Sequence, residues 1–181
     1  SESAPTAEED AGRADVAMRR QVPDNGAISL PSWSPDRPWI AAIAQAGANW
    51  ADEVERQRVQ YGALPLFWFD LADWHARAGR MAEARRAAAT ALELPARDNQ
   101  TIAIVAGRLQ RYGDLDRAIA LAQIVADRES ERPQPLYTLA LMLIDRAEMR
   151  RSDGKTAEAK ADLARAVALI ADAVLTVRRE S

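Results

Sequence analysis

Two stretches of the chain, GRMAEARRAA at residues 79–88 and GDLDRAIALA at residues 113–122, follow one pattern. Each opens on Gly, a polar residue and an apolar one, and each places Ala sixth. The two glycines, Gly79 and Gly113, stand 34 residues apart. A chain that repeats itself at such an interval is built from one small unit used again, each unit too small to bury its apolar face alone. That constraint limits the fold more than any other feature of the sequence.

The segments between the glycines show what the unit is. Apolar residues recur at three- and four-residue steps, the spacing of one buried helix face. This gives a helix from Leu66 to Ala78, a second from Met81 to Leu94, a third along NQTIAIVAGRLQRY and a fourth along LDRAIALAQIVADR. Pro133 and Pro135 open a fifth, and TAEAKADLARAVALIADAVLTVRR is a long sixth. Upstream, Trp39, Ile43, Ala46, Trp50, Val54 and Tyr61 form a stripe that predicts one helix over 38–61, ended by Gly62 and Pro65. Residues 1–37, rich in Pro, Ser, Gly and charge, read as a flexible linker or tail with Trp33 as a possible anchor. The expected organisation is therefore a linker over 1–37, a capping helix over 38–62 and hairpins over 63–181, divided as 65–98, 99–132 and 133–179. The fold class is all-α, an α-α superhelix.

Composition agrees and removes several functional classes. The chain has 181 residues, 48% of them hydrophobic, with alanine, the best helix former, dominating that share. Net charge is -3 with acids and bases interleaved, which argues against a nucleic-acid surface. No stretch approaches the length of apolar sequence that spans a bilayer. Without cysteine there is no disulfide, thiolate zinc site or cysteine nucleophile.

The positions within each unit resemble the tetratricopeptide repeat. Trp68, Leu71 and Ala72 stand at that family's W-x2-L-G spacing, followed by Gly79, Ala84 and Ala91. Ile102, Val105, Ala106, Gly113, Ala118 and Val125 fall in the same order, and Leu136, Leu139 and Ala140 begin a third unit. Its glycine is due at position 147 but stands at Gly154, seven residues late. Seven residues is about two helical turns, so both helices can lengthen and keep the same face inward. More narrowly, WSPDRPWI, YGALPLFWFDLADWHARAGRMAEA and LQRYGDLDRAIALA resemble the C-terminal repeat region of bacterial proteins with VIT and von Willebrand A domains. That resemblance implies a periplasmic or envelope setting within a larger protein; without it the expectation is cytoplasmic. It implies no catalytic residue.

Candidate chemistry is sparse. Gly154-Lys155-Thr156 ends like a phosphate loop but lacks the earlier Gly, held here by Met149, and follows a helix rather than a strand. Asp70, Asp73 and His75 lie close in sequence, yet one histidine without cysteine makes a poor metal site. No G-x-S-x-G elbow supports a His75 triad, so His75 is expected to be an ordinary, partly exposed side chain. The expected function is non-catalytic, with no cofactor: a protein or peptide bound in the concave groove lined by the first helix of each hairpin. The groove-facing set is Phe69, Asp73, Arg77, Ala103, Gly107, Gln110, Arg111, Tyr137, Leu141 and Asp145, with the rings of Phe69 and Tyr137 projecting outward. The alternative is a spacer or homo-oligomerisation module, because Leu163, Leu169, Ile170, Val174 and Val177 form a stripe on the last helix with no following repeat to cover it.

Overall fold

The computed structural model describes residues 37–95 and 98–180. The expected linker over 1–37, Trp33 included, lies outside the described residues except for Arg37. Eight α-helices run in order: α1 Pro38–Gln45, α2 Trp50–Tyr61, α3 Pro65–Arg77, α4 Met81–Thr90, α5 Asn99–Arg111, α6 Leu115–Arg128, α7 Pro133–Ser152 and α8 Thr156–Glu180. Every regular element among the described residues is helical. The helices α3/α4, α5/α6 and α7/α8 form three successive hairpins, with α7 also packed on α6. This is the all-α, tetratricopeptide-like stack expected from the interval of 34.

The interval has a local cause at the turns. Gly79, Gly113 and Gly154 take φ of 74°, 76° and 77°, the left-handed region where an L side chain is strained. Each turn closes with the same pair of backbone bonds. Arg80, Asp114 and Lys155 donate to the carbonyls of His75, Leu109 and Arg150 at 3.0, 2.8 and 2.8 Å. Gly79, Gly113 and Gly154 donate to Ala76, Gln110 and Arg151 at 3.0, 3.0 and 3.1 Å. These are Schellman turns, in which the glycine satisfies carbonyls that the helix end leaves unpaired. Starts are marked as plainly: Pro38, Pro65 and Pro133 open α1, α3 and α7, where a missing N–H costs nothing. Asp98 caps α5 by accepting from the Thr101 amide at 2.7 Å.

Equivalent positions in the repeats are buried alike. Ala72, Ala106 and Ala140 are within 1% of fully buried, as are Ala84 and Ala118 on the second helices. These small residues allow the close approach of paired helices. Leu71, Val105 and Leu139 fill the next position of the same core. His75 occupies the place held by Leu109 and Leu143 in the later repeats and is buried with them, against the expectation of a partly exposed histidine.

The region before the repeats differs from the single helix expected over 38–61. It is two helices, α1 and α2, joined by a 3-10 turn at Gly47–Asn49, with Gly47 at φ 55°. A continuous helix would hold Trp39 and Tyr61 roughly 33 Å apart, whereas their rings lie 4.9 Å centre to centre. Both periodic segments belong to one apolar face only after the chain turns back at Gly47. Trp39 then sits at 6.0 Å from Phe67, and its Nε1 donates to the buried Asp70 at 3.1 Å. Arg37 also pairs with Asp70 at 2.9 Å, which ties α1 to α3.

The third hairpin is long: α7 has 20 residues and α8 has 25, against 13 and 14 in α5 and α6. Its added length is joined by ions as well as by the buried Ala147 and Ala159. Arg146 grips Asp162 with two bonds of 2.7 and 3.0 Å, Arg150 adds one of 2.9 Å, and Arg146 reaches Asp116 of α6 at 2.8 Å. Burial pushes the Asp162 carboxyl up, but the two arginines more than offset it and hold it below the usual carboxylate range.

Candidate partner-binding surface

The first helices α3, α5 and α7 lie side by side, and their contacts repeat the sequence interval in space. Asp73 of α3 pairs with Arg108 of α5 at 2.9 Å, 35 residues on. Gln110 of α5 donates to Asp145 of α7 at 2.5 Å, again 35 residues on. The ten groove-facing positions inferred from periodicity therefore divide into two groups.

At the junction of α3 and α5 the side chains are used in holding the repeats together. Asp73 accepts from Arg108 and from the Tyr112 hydroxyl, with Arg111 at 3.6 Å. Burial first, and then the Asp73 carboxylate, push the Tyr112 hydroxyl well above its ordinary pKa, so it stays protonated and donates. Phe69 does not project outward: it is 6% exposed, with the Arg108 guanidinium over its ring at 4.6 Å. The sequence places Phe69 and Tyr137 at equivalent positions, but among the described residues only Phe69 has an arginine from the following repeat over its ring. Arg77 is exposed at the end of α3.

At the junction of α5 and α7 the surface is open. Tyr137 and Leu141 are 47% and 41% exposed. Ala103, Arg111 and Asp145 are also exposed and Gly107 is half-buried. Beside Ala103 opens a cleft of about 350 Å³ between α5, α6 and the start of α7. Its floor is apolar, made by Ala106, Ala122, Val125 and Pro135. Its rim is polar and internally paired: Asn99 donates to Glu129 at 2.9 Å, and Arg132 pairs with the same carboxylate at 2.9 Å. The cleft therefore offers an apolar hole framed by neutralised charge, which suits an uncharged side chain of an incoming segment. Of the ten inferred residues only Ala103 lines it. Ala122 and Val125 come from a second helix, and their spacing carried no signal beyond ordinary core.

The titratable groups set aside in the sequence have structural employment. Nδ1 of His75 accepts from Arg80 Nε at 2.9 Å, and the Arg80 guanidinium lies 4.7 and 4.3 Å from the rings of Trp50 and Trp74. Burial, and then the Arg80 charge, lower the His75 pKa. Burial raises that of Asp70, with Arg37 and Trp39 opposing it. Gly154 and Lys155 form the α7/α8 turn already described. No group of three or more potential metal ligands occurs among the described residues, nor is any described helix long and apolar enough to cross a membrane.

No protein-family model matches the chain, and no curated protein matches it. The likeness to VIT and von Willebrand A proteins thus rests on the quoted segments alone. Solved structures that match include a crystal structure of MamA, 10% identical, with a TM-score of 0.43 over 81% of this chain and 98% of the other. At that distance the similarity does not bear on function.

Proposed function

We propose that the chain is a non-catalytic interaction module that binds a segment of a protein partner along the face between α5 and α7. The observation that carries this reading is the apolar cleft beside Ala103, lined on α7 by Gln134, Pro135 and Thr138, with Tyr137 and Leu141 exposed on the same helix. The α5 positions 99, 103, 106 and 110 and the α7 positions 134, 138, 141 and 145 each recur at helical steps, so the two rows run side by side. The Gln110–Asp145 bond joins them at one end. The cleft lies at the other. An apolar side chain of the partner fills the cleft, and Tyr137, a large ring held at low entropic cost, anchors the segment beside it. The neutralised rim favours an uncharged anchor over the carboxylate-terminal tails that a basic groove would select. If the likeness to VIT and von Willebrand A proteins reflects kinship, this module acts within a larger envelope protein.

The test is selection from a displayed library of random peptides, followed by titration of the enriched peptides against variants. Ala103→Arg places a charged side chain at the cleft mouth, and Tyr137→Ala removes the anchor. Each should weaken binding by about 1 to 3 kcal/mol with the melting temperature unchanged. Enriched peptides that bind both variants as tightly as the parent would place the site elsewhere.

A further inference from the structure

The α8 helix carries two seams. One, with Ala159, Asp162, Ala166 and Ala173, is buried on the α7 side. Away from it, Leu163, Val167, Val174 and Leu175 are 41%, 67%, 47% and 50% exposed. These large apolar groups, with the exposed Ala164, Ala168 and Ala171 between them, form a face wide enough to be the core side of a helix. From Ala161 to Leu175 the only charged residues are Asp162, which is buried, and Arg165 and Asp172. The last two lie along one edge of the apolar face. They belong to a row at seven-residue steps, Glu158, Arg165, Asp172 and, in sequence, Arg179, whose sign alternates. Seven-residue spacing keeps such a row at the margin of a helix–helix seam.

An alternating row of this kind matches itself in one orientation. Turned end for end, Arg165 comes level with Asp172 of a second copy. In the same register Val167 meets Val174 of the second copy and Leu175 meets Ala164, a large side chain against a small one. A parallel, in-register pair would instead bring each charge level with its like. We propose that a second copy of this chain docks on the exposed face of α8, forming an antiparallel α8–α8 pair about a twofold axis between Ala168 and Ala171. Such an interface is isologous: each patch is its own complement. Arg165 also donates to Gln123 within its own chain, which leaves other N–H groups of its guanidinium for a carboxylate across the interface. The pairing does not depend on the groove described above, since it uses the exposed face of α8 and none of the residues that line the cleft.

Sedimentation of the 181-residue chain should show a concentration-dependent dimer of twice 19.9 kDa. Val167→Glu and Arg165→Asp should each raise the dimer dissociation constant roughly tenfold or more with little change in melting temperature. The double variant Arg165→Asp/Asp172→Arg should recover most of that loss. Because the chain has no cysteine, orientation can be read from introduced thiols. In an oxidised mixture of Ala164→Cys and Leu175→Cys chains, the cross-link between the two variants should dominate over either homodimer. A chain that stays monomeric at every concentration overturns the proposal. So does an Ala164→Cys homodimer formed as readily as the mixed one, or a double charge variant no tighter than the single one.

Discussion

Phe69 and Tyr137 occupy the same repeat position, so the pair separates burial from sequence position. Phe69 is 6% exposed and sits under Arg108, whose guanidinium carbon is 4.6 Å from the ring centre. Truncating a buried phenylalanine costs about 3 to 5 kcal/mol. One face of this ring meets a mobile cation rather than packed carbon, which favours the lower part of that range. Losing a partly desolvated cation–π contact adds about 0.5 to 2 kcal/mol. Phe69→Ala should therefore destabilise the fold by about 4 kcal/mol. With an unfolding entropy near 2.1 cal/mol/K per residue over roughly 140 ordered residues, each kcal/mol is worth about 3.4 °C, and the melting temperature should fall by about 14 °C. Tyr137, 47% exposed, should give a change within about 0.5 kcal/mol on Tyr137→Ala. Thermal and urea melts followed by circular dichroism measure both. A Phe69→Ala chain that melts within about 2 °C of the parent would refute the covering of this ring by Arg108. A double-mutant cycle of Phe69→Leu with Arg108→Gln isolates the contact itself, with an expected coupling of about 0.5 to 2 kcal/mol.

Three further outcomes follow from the turns and the buried ions. Gly113→Val forces a branched side chain into φ 76°, with a Cβ 3.4 Å from Arg85, and should cost about 1 to 2 kcal/mol in a urea melt. His75 has a lowered pKa, so its stabilising share is present above the unfolded value of 6.5 and is lost as pH falls through the folded one. His75→Leu, which installs the residue of the later repeats, should flatten the stability profile between pH 7 and pH 5; an unchanged slope would assign that pH dependence to other groups. Asp162 also has a lowered pKa, so its share persists above the unfolded value of 3.8 and disappears as pH falls below it. Asp162→Ala leaves Arg146 and Arg150 without their shared carboxylate and should cost about 3 kcal/mol at pH 7. A variant as stable as the parent would mean that water replaces the lost pair.

The hairpin stack is legible in the sequence because its causes are local. A left-handed turn needs glycine, a helix pair needs small residues where it touches, and both needs recur at Gly79, Gly113 and Gly154 and at Ala72, Ala106 and Ala140. Even the two added turns of the third hairpin can be read from the displaced glycine, since a helix lengthened by whole turns keeps its face. Gly47 shows where this reasoning stops. The stripe from Trp39 to Tyr61 has helical spacing throughout, and spacing alone does not say that the chain doubles back within it. What the sequence determined by itself was thus the unit and its repetition. The tertiary structure decided which equivalent positions are surface. Phe69, Ala103 and Tyr137 share one place in the repeat, yet Arg108 reaches across from α5 to close over the first, and nothing comparable among the described residues covers the third. His75 is core because it stands where leucine stands later, with Arg80 and two tryptophans around it. The cleft beside Ala103 exists because three helices meet there. Exposure depends on neighbours distant in the chain, and periodicity carries no information about which of them arrive.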